Sequence, residues 1–104
     1  MQRAEFLEVT KDLICKQRQD IHGKPENTFA LIAHYWSIYL SAAFERETVI
    51  DGADVAVMMS LLKVARLQMN PFNDDNVVDG IGYLALAGEL ISNTQGSEEL
   101  LNDK

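Results

Sequence analysis

Four charged side chains stand within stretches of sequence that are otherwise apolar, and they have the clearest capacity for chemistry. Lys63 and Arg66 are three residues apart, and Asp75 and Asp79 are four apart. Each spacing puts both members of a pair on one side of an α-helix. Cations on an apolar helix need a counter-ion, and carboxylates one turn apart suit a hard divalent cation such as magnesium.

Each pair also has an ordinary structural interpretation. Lys63 and Arg66 could extend to solvent, bind phosphate or a carboxylate, or form structural salt bridges. Asp75 could stabilise a helix N-terminus, and Asp79 could form an interhelical ion pair. The functional hypothesis is that all four side chains converge in one polar centre.

Apolar periodicity predicts the elements that position these residues. The sequence shows no alternating strand pattern and no internal repeat, so we expect an all-α protein resembling a compact four-helix bundle. Asp51 with Asp54 predicts a capping box, and Asn73 or Asp74 predicts the cap of the last helix. The expected helices cover residues 3–20, 27–44, 52–69 and 74–92 of a single domain, residues 1–92, followed by a polar and flexible tail, residues 93–104.

Surplus apolar residues predict contacts between subunits. The second helix, FALIAHYWSIYLSAAF, is apolar on nearly every face, and in the fourth helix Asp79 shares its face with apolar residues. The main apolar stripe of that fourth helix is instead Val77, Ile81, Leu84 and Ile91. We expect a homo-oligomer, with interface candidates Trp36, Tyr39, Tyr83, Leu86 and Leu90.

Several other residues have ordinary structural interpretations. His34, between apolar residues, predicts a hydrogen-bonded core histidine, and Cys15 predicts a small buried side chain. Gly80, Gly82 and Gly88 each cost about 1 kcal/mol inside a helix, which predicts close approach by another helix or a ligand.

Composition excludes several classes of protein. Nine Lys and Arg against sixteen Asp and Glu among 104 residues give a net charge of −7, which disfavours binding to a nucleic-acid backbone. No apolar run approaches the roughly 18 residues that span a bilayer, and no signal peptide is evident. We therefore expect a cytoplasmic protein with no membrane association.

Four motifs in order carry a resemblance to a known family. RQDIHGKPENTF, YWSIYL, DVAVMMSLLKVAR and DNVVDGIGYLALA together resemble a small phage and prophage protein family of unknown function. That family is distantly similar to the all-α MazG-like nucleoside-triphosphate pyrophosphohydrolases and to a phage nucleotide-modification-associated domain. The likeness covers roughly residues 3–91.

The resemblance implies a magnesium-dependent site for a nucleotide. Asp75 and Asp79, with Asp20, would hold the metal, and Lys63, Arg66 and Arg18 would neutralise phosphate charge. The chain departs from the MazG-like pattern because residues 28–44 contain no carboxylate. Asp20, Glu26 or Asp54 would have to replace the missing glutamate cluster.

Two functional hypotheses follow. The first is a magnesium-dependent nucleotide hydrolase or a nucleotide-binding relative, with Asp75, Asp79, Lys63 and Arg66 as catalytic residues. The second is a non-catalytic oligomeric protein, such as a phage accessory factor or inhibitor that binds a host protein, motivated by the surplus apolar surface.

Overall fold

The computed structural model describes residues 1–17 and 24–102, with residues 16, 17 and 95–102 described as backbone only. Within these residues the chain is all-α, as predicted, and contains no β-strand. The helices are α1 (Arg3–Asp12), α2 (Pro25–Phe44), α3 (Gly52–Met69) and α4 (Asp74–Asn102), and a π-helical turn (Leu13–Gln17) follows α1.

The predicted caps of α3 and α4 are confirmed. The Asp54 backbone N–H donates to Asp51 Oδ1 at 2.9 Å, and the Asp51 N–H donates to Asp54 Oδ2 at 3.0 Å. Each aspartate thus satisfies a backbone donor that the first helical turn leaves unpaired. Asn73 caps α4, because its Oδ1 accepts from the Asp75 N–H at 3.0 Å.

Three helix boundaries differ from the prediction. The first α-helix ends at Asp12 and continues as the π-helical turn, and residues 18–20 of the predicted helix lie outside the described residues. The second helix begins at Pro25 because proline is tolerated in a first turn, where its missing N–H breaks no hydrogen bond.

The fourth helix continues past the predicted end at residue 92 to Asn102. Residues 93–102 contain no proline, and the good helix formers Glu98, Glu99, Leu100 and Leu101 lie near their end, so their polarity does not stop the helix. The predicted flexibility of residues 93–104 stays a prediction.

The core lies where α2, α3 and α4 meet. Helix α4 packs along α3 and against α1, and α2 packs on α3. Val55 is fully buried, and the rings of Phe29 and Tyr83 stack with centroids 5.9 Å apart. The buried cluster comprises Phe29, Ala33, Val55, Ala56 and Ala87.

Two α2 hydroxyls fix the connector between α2 and α3. The Thr48 N–H donates to Ser41 Oγ at 2.9 Å, and the Ile50 N–H donates to Ser37 Oγ at 2.9 Å. Ser41 Oγ in turn donates to the Thr48 carbonyl at 3.0 Å. These bonds satisfy connector backbone groups and set where α3 begins.

Close approach by a neighbouring element explains one of the three α4 glycines. A Cβ at Gly82 would lie 3.0 Å from Ile14 Cγ2, so this glycine lets the turn after α1 pack against α4. A Cβ at Gly80 would make ordinary contacts with Lys63 and Ser60. A Cβ at Gly88 would have no neighbour within 4 Å among the described residues. Packing within the chain therefore does not explain Gly88.

Candidate functional site

Lys63 and Asp79 form an ion pair between α3 and α4. Lys63 Nζ lies 3.0 Å from Asp79 Oδ2, and the two side chains are only 13% and 14% exposed. A pair so shielded from water interacts more strongly than a surface salt bridge, but both charges lose hydration. The structure thus brings together one cation and one carboxylate of the predicted centre within a single chain.

Ser60 holds the two helices in register beside this pair. Its side chain is almost fully buried, and Oγ donates to the Gly80 carbonyl at 3.0 Å. Lys63 follows Ser60 by three residues, and Asp79 precedes Gly80. The hydrogen bond and the ion pair therefore form one polar contact across the α3–α4 interface.

The other two residues of the predicted centre lie at the surface. Arg66 and Asp75 are exposed, and neither forms an ion pair with another described residue. Asp75 is in the first turn of α4, where a carboxylate stabilises the helix dipole. The pair confirms the interhelical ion pair given as the structural interpretation of Asp79. Arg66 and Asp75 do not join it, so the four side chains do not converge in one polar centre.

The structure adds no further ligand to the predicted magnesium site. Among the described residues, no group of three or more His, Cys, Asp or Glu side chains is arranged to hold a metal ion. Asp20 and Arg18, predicted to bind metal and phosphate, lie outside the described residues. The catalytic, phosphate-binding and metal-binding roles of all these residues stay predictions.

A cleft of about 460 Å³ opens beside the ion pair, between the turn after α1, α2 and α4. Three acidic residues on two helices line it: Glu26 on α2, and Asp79 and Glu89 on α4. Tyr83 and Leu86 contribute apolar wall. Glu26 is one of the substitute acids expected from the resemblance, whereas sequence spacing gives no sign of Glu89, whose position depends on the packing of α4.

The interface candidates occupy different surroundings. Trp36, Tyr83 and Leu86 are partly buried and pack against the chain's own core. Leu90 is partly buried as well. Its Cδ1 lies close to the start of α3, 3.7 Å from where a Cβ on Gly52 would be. Tyr39 is 70% exposed. Of the five, Tyr39 therefore has the most surface left for a second molecule.

The buried face of helix α4 is not the face of its main apolar stripe. Val78 and Ala87 are buried, whereas Leu84 and Ile91 of that stripe are 55% and 45% exposed. The reason is that α1 and α3 pack on the glycine and alanine positions, where helices approach closely.

Two predictions of burial are wrong. His34 is exposed, with its ring centroid 6.3 Å from that of Tyr35, because only one side of α2 packs on α3. Cys15 is also exposed, and it lines the acidic cleft from the π-helical turn after α1.

Large apolar side chains are exposed on each of the four helices in the described residues, and two sets of them are used below. Leu31, Tyr35, Ile38 and Tyr39 recur at helical spacing along α2, and we call them the α2 stripe. A second set, which we call the outer α3/α4 face, comprises Val57, Leu61, Val64, Leu84 and Ile91.

These features define a small helical protein with a shielded ion pair between two helices and unpartnered apolar helix faces. No helix in the described part of the chain is long and apolar enough to cross a membrane. The chain belongs to the family described as Domain of unknown function (DUF6378), whose model matches residues 5–91.

Curated relatives come from phages. The Gene 55 protein of Mycobacterium phage L5 is 36% identical over 78 residues, which is 75% of this chain and 47% of the relative. The Gene 55 protein of Mycobacterium phage D29 is also 36% identical over 78 residues, covering 48% of its length. The chain thus spans about half the length of these relatives. No solved structure matches the chain.

Proposed function

We propose that this chain is a non-catalytic interaction protein that assembles with copies of itself through exposed apolar helix faces. The observation that carries the proposal is the distribution of apolar residues in the described part of the chain. Six hydrophobic residues are buried, three of them alanines, whereas eighteen large hydrophobic residues are exposed. Single exposed apolar residues are ordinary, but contiguous sets on helix faces mark interaction surfaces.

The total surface supports the same proposal. The accessible surface of the chain is 7901 Å². A monomer of 11.7 kDa is expected to expose about 5,900 Å². The radius of gyration is 15.8 Å, against about 13 Å for a compact domain of this length. The chain alone therefore leaves uncovered the surface that assembly would bury.

The polar centre fits this function without a catalytic step. Lys63 neutralises Asp79 directly, so a metal ion at Asp79 would compete with an ammonium group already 3.0 Å away. In a non-catalytic protein the same pair fixes the relative position of α3 and α4. The apolar faces on these two helices then keep a constant shape.

Solution mass of the wild-type protein tests the proposal. We expect sedimentation equilibrium at micromolar concentration to give a multiple of 11.7 kDa, unchanged by magnesium or nucleotides. A monomer at all concentrations up to about 100 μM would contradict it, because exposed hydrophobic faces of this extent normally associate more tightly than that.

The acidic cleft supports a second candidate, the binding or hydrolysis of a nucleotide with magnesium. Glu26, Asp79 and Glu89 line one cavity, but their side chains are not arranged around a common ion. Magnesium prefers carboxylate oxygens, so this candidate requires these side chains to come together when the metal binds. This candidate requires Lys63 to exchange its carboxylate partner for substrate phosphate.

A substrate panel separates the two candidates. Pyrophosphate release from canonical and modified nucleoside triphosphates would be followed with magnesium, in wild type and in Glu89→Gln. Turnover that Glu89→Gln abolishes, and that the exposed control Glu45→Gln retains, would favour the second candidate. No turnover, with no magnesium-dependent rise in melting temperature, would leave the interaction function.

A further inference from the structure

The outer α3/α4 face occupies one side of a helix pair. Ser60 and Lys63 show which side of α3 meets α4. At about 100° per residue, Val57, Leu61 and Val64 lie beside that contact on α3. They lie on the side of α3 opposite to Val55. Val55 packs with α2 residues in the core cluster, so these three residues face away from α2.

The exposed apolar residues of α4 lie on the same side of the helix pair as those of α3. The Gly80 carbonyl accepts from Ser60, so Gly80 marks the side of α4 that meets α3. At about 100° per residue, Leu84 and Ile91 lie beside this contact on α4. Tyr83 lies on the other flank, where its ring stacks on Phe29 of α2. The exposed residues of α3 and α4 therefore form one continuous surface that faces away from α2.

This surface is large and uncharged. Leu61 is 61% exposed, and the helical positions between the five residues of the face carry Ala65, Ile81 and Gly88 and no charged residue. The chain has a net charge of −7. Two copies can approach most easily where no carboxylate must be desolvated or brought near another. The whole chain exposes about 2,000 Å² more than a compact monomer of its mass. A stable dimer buries roughly 800 Å² on each partner, so a dimer contact fits within that surplus.

We propose that the outer α3/α4 face is the self-association surface, and that its occupant is the same face of a second copy. This inference rests on the proposed function and names its interface. The contact is isologous, so α3 and α4 of one chain pack on α3 and α4 of the other to make a four-helix layer. Gly88 gains a role there, because a residue without a side chain allows a partner helix to approach closely.

A pair of matched substitutions tests the proposal in the full chain. Leu84→Glu and Tyr39→Glu make the same change at exposed apolar positions, one on the outer α3/α4 face and one on the α2 stripe. Sedimentation velocity would be recorded at equal concentrations for both variants and wild type. We expect Leu84→Glu to weaken association at least tenfold, whereas Tyr39→Glu sediments as wild type does.

Each result has a defined meaning. If Tyr39→Glu dissociates the assembly and Leu84→Glu does not, the inference is overturned and the proposed function stands. If wild type is a monomer, both fail. Circular dichroism would check that each variant is helical, and Leu61→Glu supplies a second test of the face if Leu84→Glu does not fold. Retention of wild-type association by Leu61→Glu would also overturn the inference.

Discussion

The ion pair between Lys63 and Asp79 gives the sharpest prediction about stability. Lys63→Met keeps most of the length of the side chain and removes its charge, leaving the Asp79 carboxylate without the ammonium that lies 3.0 Å away. Removing one partner of a fully buried pair costs about 3–5 kcal/mol. Since both side chains keep a small exposure to water, we expect about 2–3 kcal/mol for Lys63→Met.

The same helix offers a matched control. Arg66→Met also replaces a cation by methionine, three residues further along α3, at an exposed position. We expect this variant to change the free energy of unfolding by less than about 0.5 kcal/mol. Urea denaturation of both variants, at one fixed protein concentration because assembly adds to apparent stability, gives the comparison.

A double-mutant cycle completes the test. Asp79→Asn is combined with Lys63→Met in a double variant. We expect its loss in the free energy of unfolding to be smaller than the sum of the two single losses by at least about 1 kcal/mol. Additive losses, or equal losses for Lys63→Met and Arg66→Met, would refute the conclusion that this pair holds α3 and α4 together.

Three further predictions concern the packing and capping of the same helices. Gly82→Ala should lower stability because its Cβ would lie 3.0 Å from Ile14 Cγ2. Gly80→Ala should raise stability by up to about 1 kcal/mol, because its Cβ has room and alanine favours the helix. Thermal unfolding measures both variants, and a higher melting temperature for Gly82→Ala than for Gly80→Ala would contradict this. Asp51→Ala should cost about 1 kcal/mol in urea denaturation, since it removes the acceptor for the Asp54 N–H. Ser60→Ala should cost about 1 kcal/mol in the same assay, because the Gly80 carbonyl loses its hydroxyl donor. No measurable loss in either of these two variants would contradict the assigned hydrogen bond.

Local sequence signals were sufficient for much of the fold. Helix α3 begins and ends as predicted because Asp51 and Asp54 form a capping box and Asn70–Pro71 stops the helix. Gly82 correctly predicted a close approach to α4, whereas Gly80 has room for a Cβ. The end of α4 was not predictable from polarity, since extending a helix that is already formed needs no new nucleation and residues 93–102 contain no proline to stop it.

The candidate site was predictable only in part. Charge within otherwise apolar helices correctly indicated Lys63 and Asp79 as paired residues. The spacing of residues within one helix does not determine which of them face another helix. Arg66 lies one turn from Lys63 and is nevertheless exposed. Apolar residues occur on most sides of α3, and this pattern did carry a signal for the outer α3/α4 face, because a chain of this length cannot bury every side of its helices.

Isotope-filtered NMR on a mixture of labelled and unlabelled protein tests the central claim most directly. The sample contains equal amounts of uniformly ¹³C-labelled chains and unlabelled chains, so filtered cross-peaks arise only between two different copies. We predict intermolecular cross-peaks from the methyl groups of Leu61, Leu84 and Ile91. Cross-peaks from Tyr35 and Tyr39 alone, or none at concentrations where the protein is an assembly, would contradict the account.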